Sequence, residues 1–148
     1  PMQLESVEDM VAAVLQRLRK RKGLHLPTVK VDAGLPLVKC NMVLVEQVLD
    51  NLIDNAIKHS GVADSVELTV FHRQDEVLFQ VSDRGKGMQG QYKLQGDEFR
   101  GLGIGLQLCH TVARVHSGRL VFSSPADTGR GVIATFTLPF APLQAKTV

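Results

Sequence analysis

At 148 residues the chain has the length of one domain and can bury a sizeable core without disulfide or metal staples. Hydrophobic residues make up 44% and charged residues 22%, which excludes a disordered or fibrous chain. The 17 Lys and Arg against 15 Asp and Glu leave a formal charge of +2, too little for an electrostatic footprint, so no nucleic-acid partner is expected. Cys40 and Cys109 form no C-x-x-C pair and have no histidine at metal-ligand spacing, which argues against a disulfide scaffold or zinc site and fits a reducing compartment. No apolar run reaches the ~18 residues of a membrane span, and the N-terminus lacks a signal-peptide pattern. The expectation is a cytoplasmic domain, either complete or cut from a longer protein.

In chain order, Ser6 precedes Val7, Met10, Val11, Val14, Leu15 and Leu18, spaced as on one helical face, and Ser6-x-x-Asp9 has the form of a capping box. A helix from about residue 6 to 21 is predicted, ended by Gly23. The basic run from Arg17 to Lys22 reads as the solvated end of that helix, where cations are favoured. Residues 28–32 and 37–40 read as short strands separated by Ala33-Gly34 and Pro36. Residues 42–60 give the strongest helix, closed by Gly61. Residues 65–73 and 77–83 form a predicted hairpin around Gln74-Asp75-Glu76. Residues 84–103 read as loop, 104–116 as a helix, and 119–123 with 132–138 as a final strand pair around the turn-rich segment 125–131. Strands in runs broken by three helices predict an α+β two-layer sandwich, with a mixed sheet of about five strands covered by three helices. One domain is expected over residues 1–148, with a loose tail from 141 to 148.

Three constellations bear on chemistry. In the helix 42–60, about 100° per residue places Val45, Leu49, Leu52 and Ala56 on one side. Asn51, Asn55 and Lys58 fall within an arc of roughly 60° on another side, flanked by His59. Such a stripe of amides and an ammonium suits a metal-bound phosphate chain, and equally suits a plain solvated face. The second is Asp83-Arg84-Gly85-Lys86-Gly87 after a strand. Strand alternation puts Asp83 on the face of Val77, Phe79 and Val81, where a buried carboxylate needs donors. An adenine amine is one such donor, and glycines would let a planar ring approach the backbone; an Asp-initiated turn is the competing explanation. The third is Gly101-Leu102-Gly103-Ile104-Gly105-Leu106 opening into a helix. Its exposed N–H groups and dipole suit an anion, although it is neither a Walker A loop nor a Rossmann fingerprint.

The ordered set N-x-x-x-N-A-x-K-H-S, D-x-G-x-G, G-x-G-x-G-L and a late G-x-G before a strand ending Leu138-Pro139 resembles the GHKL superfamily. More narrowly it resembles the catalytic and ATP-binding domain of bacterial sensor histidine kinases, from the first helix to Pro139. A further likeness, Leu35-Pro36-Leu37-Val38-Lys39-Cys40 continuing into Leu44–Leu49, is to the Kdp-type potassium-responsive sensor kinases. The resemblance implies a Bergerat α/β sandwich that binds ATP and Mg²⁺. It implies Asn51 at Mg²⁺, Asn55 at phosphate, Lys58 neutralising phosphate charge and His59 against the base or sugar, with Asn51, Asn55 and Lys58 carrying the catalysis. Asp83 would accept from the adenine amine and Gly85 and Gly87 would shape its pocket. Gly101, Gly103, Gly105 and Leu106 would frame the triphosphate and the lid hinge. His116-Ser117-Gly118 matches a helix-ending segment with a structural role.

The same resemblance implies a phosphorelay: a histidine-bearing dimerisation domain of the parent protein, a response regulator downstream, and a monomeric isolated domain. The location implied is cytoplasmic, as part of a membrane-anchored sensor. No H-E-x-x-x-P pattern surrounds His25, His59, His72, His110 or His116, so the phosphoacceptor lies outside this chain. Two departures stand out. The stretch from Met88 to Arg100 is shorter than usual and lacks an F-x-x-F box, and Val132 stands where the family often has Thr or Ser. The segment Tyr92–Arg100, rich in Gly, Gln and charge, is expected to be mobile without nucleotide. The alternatives are a degenerate nucleotide-binding regulatory module and an anti-sigma-type GHKL serine kinase; Asn51, where the latter tends to carry Glu, disfavours it.

Overall fold

The computed structural model describes residues 1–22, 26–60, 65–83, 104–124 and 131–140. Ser6 Oγ accepts the Asp9 N–H at 3.2 Å and starts α1 (Val7–Lys22), as the capping pattern predicts. The face of α1 bearing Val7, Met10, Val11, Val14 and Leu18 is buried. Its basic end departs from expectation. Arg17 pairs with Glu46 at 2.8 Å and Asp50 at 3.1 Å, and Arg21 pairs with Asp54 at 3.1 Å. The three acids recur every fourth residue on α2 (Met42–Ser60), so they form one ridge that faces the two arginines. β2 (Thr28–Val31) and β3 (Val38–Cys40) stand between α1 and α2, and the intervening Gly34 takes a φ of 72°, which favours glycine.

Asn41 caps α2, its Oδ1 accepting the Leu44 N–H at 3.1 Å. The expected apolar side, Val45, Leu49, Leu52 and Ala56, is buried together with Val48 and Ile53. β4 (Glu67–Arg73) and β5 (Glu76–Asp83) form the predicted hairpin around a two-residue turn in which Gln74 has a φ of 56°. α3 (Ile104–Val115), β6 (Arg119–Ser123) and β7 (Val132–Pro139) complete the order. The sheet runs β2-β4-β5-β7-β6, with β2 and β4 parallel and the other neighbours antiparallel, hence mixed. A three-residue strand that the sequence did not announce, β1 (Gln3–Glu5), pairs antiparallel with β3 as a separate ribbon.

α2 packs on β5, α3 on β6 and β7, and α1 on α2, which gives the expected α+β two-layer arrangement. The central strands meet at Phe79 and Phe136, directly opposite in register with ring centroids 5.8 Å apart. Both are fully buried, and each contributes about 1.5–3 kcal/mol by leaving water. This layer lies in the same hydrophobic core as the buried residues of α2 and α3. The expected stops at Gly23 and Gly61, the segment from 84 to 103, most of the 125–131 turn and the tail 141–148 lie outside the described residues.

Candidate functional site

With its apolar side spent on the core, α2 holds Asn51 and Asn55 half-buried and Lys58 exposed. A Cβ added at Gly105, in the first turn of α3, would lie 3.5 Å from Asn51 Cγ and Oδ1. The start of α3 therefore passes directly over the Asn51 side chain. That start is also where backbone N–H groups and the positive dipole end favour an anion. One turn further, Cys109 is fully buried and donates its Sγ–H to the Val48 carbonyl at 3.9 Å. Burial pushes its thiol up to about 12.

Asp83 ends β5 with 6% exposure, on the buried side that strand alternation predicted. Directly opposite it on β7 stands Val132, 3% exposed, whose methyls offer no hydroxyl. His59 is half-buried near the end of α2. Leu106 is 2% exposed and belongs to the hydrophobic core, so its side chain packs inward from the first turn of α3. Gly85, Gly87, Gly101, Gly103 and the Tyr92–Arg100 segment lie outside the described residues. Among the described residues no group of His, Cys, Asp and Glu side chains is arranged to hold a metal ion.

His116 has the structural role expected of it. Its Nδ1 lies 2.8 Å from the Val112 carbonyl and its Nε2 accepts the Asn41 N–H at 3.1 Å. The N–H is thereby assigned to Nδ1, and the ring ties the end of α3 to the cap of α2. Ser117 has a φ of 58°, and the Gly118 N–H reaches the Ala113 carbonyl at 2.8 Å, closing α3. Two features near the site escaped the sequence: the Cys109 bond to the Val48 carbonyl and the tie from His116 to Asn41. Neither has a local signal, since the partners are 61 and 75 positions apart.

Residues 41–142 match the family described as histidine kinase-, DNA gyrase B- and HSP90-like ATPases. The sensor protein KdpD of Clostridium acetobutylicum is 29% identical over 148 residues, a match covering 92% of this chain and 16% of that protein. The adaptive-response sensory kinase SasA of Thermosynechococcus vestitus is 38% identical over 147 residues, covering 91% of this chain and 36% of its own length. The chain thus spans well under half of either relative. In fold it is similar to the catalytic domain of histidine kinase ThkA, with a TM-score of 0.78 at 19% identity over 94% of this chain and 95% of that one. No helix among the described residues is long and apolar enough to cross a membrane. A matched span holding the asparagine helix, the Asp83 strand and the start of α3, together with that fold, means that the chain belongs to the histidine kinase-, DNA gyrase B- and HSP90-like ATPase family, as an ATP-binding catalytic domain of the sensor histidine kinase type.

Proposed function

We propose that the chain binds Mg²⁺-ATP between α2 and the start of α3 and transfers the γ-phosphoryl group to a histidine on a separate dimerisation domain of the same parent protein, upstream of a response regulator. The observation that carries this is the placement of the Asn51 amide beside Gly105 at the N-terminal end of α3. Mg²⁺ takes oxygen ligands, commonly one or two from protein with waters and phosphate oxygens completing the set. One neutral amide oxygen next to an anion-favouring helix end fits that demand. When bound, the ion would neutralise charge on the bridging phosphates.

The residues of the chain divide the remaining work. Asn51 would present its oxygen to the metal, Asn55 would donate to phosphate, and exposed Lys58 would supply a mobile positive charge. His59 would lie against the base or sugar. The Asp83 carboxylate would accept from the adenine amine, with Gly85 and Gly87 flanking the base. Gly101, Gly103 and Gly105 would bring backbone N–H groups to the triphosphate, and Leu106 would anchor that turn in the core. Catalysis is then positioning and charge neutralisation rather than covalent chemistry. An amide cannot take a proton, so Asn51 leaves water unactivated, whereas a neutral imidazole is nucleophilic without a base.

The test supplies a cognate dimerisation domain in trans. The expected result is phosphotransfer to that domain with little ATP hydrolysis by the catalytic domain alone. Asn51→Ala should lose Mg²⁺-dependent transfer while ADP still binds without Mg²⁺. Brisk hydrolysis with no partner histidine present would overturn this assignment of Asn51.

A further inference from the structure

The strand row that ends in Asp83 is apolar on both sides of the carboxylate. Asp83 is the last residue of β5 and stands opposite Val132, the first residue of β7. Opposite residues of an antiparallel pair share one face of the sheet, and Val132 is buried in the core on the face that meets the helices. On the other flank Val66, fully buried, comes one residue before the Glu67–Ser82 pair and so falls beside Asp83. Beyond Val132, Ser124 follows the Ser123–Ile133 pair on β6, and its Oγ–H is spent on the Gly131 carbonyl at 3.1 Å. α2 packs on β5 and α3 on β6 and β7, so the seam between the two helices lies over the β5–β7 pair. A base entering that seam meets Asp83 and Val132 together.

Adenine presents two neighbouring groups on one edge: an exocyclic amine that donates and the ring nitrogen N1 that accepts. An ionised carboxylate has only acceptors, so Asp83 takes the amine and cannot serve N1. The methyls of Val132 donate nothing. We infer that Val132 is a specificity-determining residue: it closes the base site beside Asp83 with an apolar wall, so the chain selects a purine by its 6-amino group and leaves N1 unread. The ligand class is then the 6-aminopurine nucleotides, with or without nitrogen at ring position 1. This rests on the proposed role of Asp83 as acceptor for the amine.

Calorimetric titration of the intact chain with three nucleotides tests it: ADP, 1-deaza-ADP, in which C–H replaces N1, and N6,N6-dimethyl-ADP, whose amine carries no hydrogen. The wild type should bind 1-deaza-ADP at least as tightly as ADP, because no hydrogen bond is lost and an unserved acceptor is removed. Val132→Thr keeps the branched shape and adds a hydroxyl that reaches N1 directly or through a water. That variant should favour ADP over 1-deaza-ADP about fivefold, the worth of one neutral hydrogen bond. A ratio of two ligands on one variant cancels any general loss of stability, and the wild-type comparison needs no variant at all. A wild type that binds 1-deaza-ADP about fivefold more weakly than ADP, or a Val132→Thr variant with the wild-type ratio, overturns the role of Val132. If N6,N6-dimethyl-ADP is rejected in either case, the role of Asp83 stands and only that of Val132 fails. If N6,N6-dimethyl-ADP binds as ADP does, Asp83 does not take the amine and both roles fall.

Discussion

A carboxylate with 6% exposure at the end of β5 needs donors, and the Asp83 position combines that need with two following glycines. Asp83→Asn should weaken ADP binding by about 1.5–3 kcal/mol, the worth of a hydrogen bond to a charged acceptor. Calorimetry with ADP and GDP reads it; equal affinity for both nucleotides, or an indifferent variant, removes the adenine contact. The two thiols give a pH dependence of stability. Burial is the main cause that pushes Cys40 up to about 11 and Cys109 up to about 12, from an ordinary value of 9.0. Glu5 and Glu46 add to the effect at Cys40. The folded chain therefore keeps protons that the unfolded chain releases near 9. Their stabilising contribution is complete below 9 and is lost as pH rises from there toward 11–12. Melting temperature should decline over that range more steeply in the wild type than in a Cys40→Ala/Cys109→Ala double variant; parallel curves would contradict it.

Elements meet where α3 ends. Gly118 leaves the helix so close to β7 that an added Cβ would lie 1.9 Å from the Thr137 backbone oxygen. A backbone oxygen cannot move aside as a side-chain tip can. Gly118→Ala should thus cost about 3 kcal/mol or more, since the helix end must lift off the sheet. Urea unfolding would measure it, and a cost below about 1 kcal/mol would mean the turn relaxes freely. The neighbouring His116 transmits any such shift, because its ring joins the α3 end to the Asn41 N–H at the cap of α2. The helix that carries Asn51 and Asn55 is thereby held at its start by the helix whose first turn covers Asn51.

For the molecule as a whole, α1 adds a third helix and clamps α2 through Arg17 and Arg21. The Arg17 side chain is 44% exposed, while Glu46 and Asp50 are 13% and 23% exposed, so screening by water is substantial. Arg17→Ala should cost only about 1 kcal/mol, shrinking as salt is raised. Chemical denaturation at low and high salt checks this; a salt-independent loss would assign the effect to packing of the Arg17 stem instead. The clamp is the reason the basic run is not uniformly solvated. Isolated, Arg17–Lys22 reads as the charged end of one helix, and only the acidic ridge of α2 gives two of its members a partner.

What the sequence determined by itself was local and periodic. The cap at Ser6, the apolar side of α2, the hairpin around Gln74 and the buried face that Asp83 shares with Val77, Phe79 and Val81 all follow from spacings of 3.6 or 2 residues. The same regularity set Asn51 and Asn55 one turn apart. What only the tertiary structure decided was non-local: the sheet order β2-β4-β5-β7-β6, the β1–β3 ribbon, the arginine partners, and the Cys109 thiol on the Val48 carbonyl. A three-residue strand is too short to show alternation. A lone cysteine on a helix has no pattern at all. Cys109 reaches Val48 across 61 residues because two apolar helix faces pack over one sheet, and the hydrogen bonds at that seam exist only once the hydrophobic layers have brought it together.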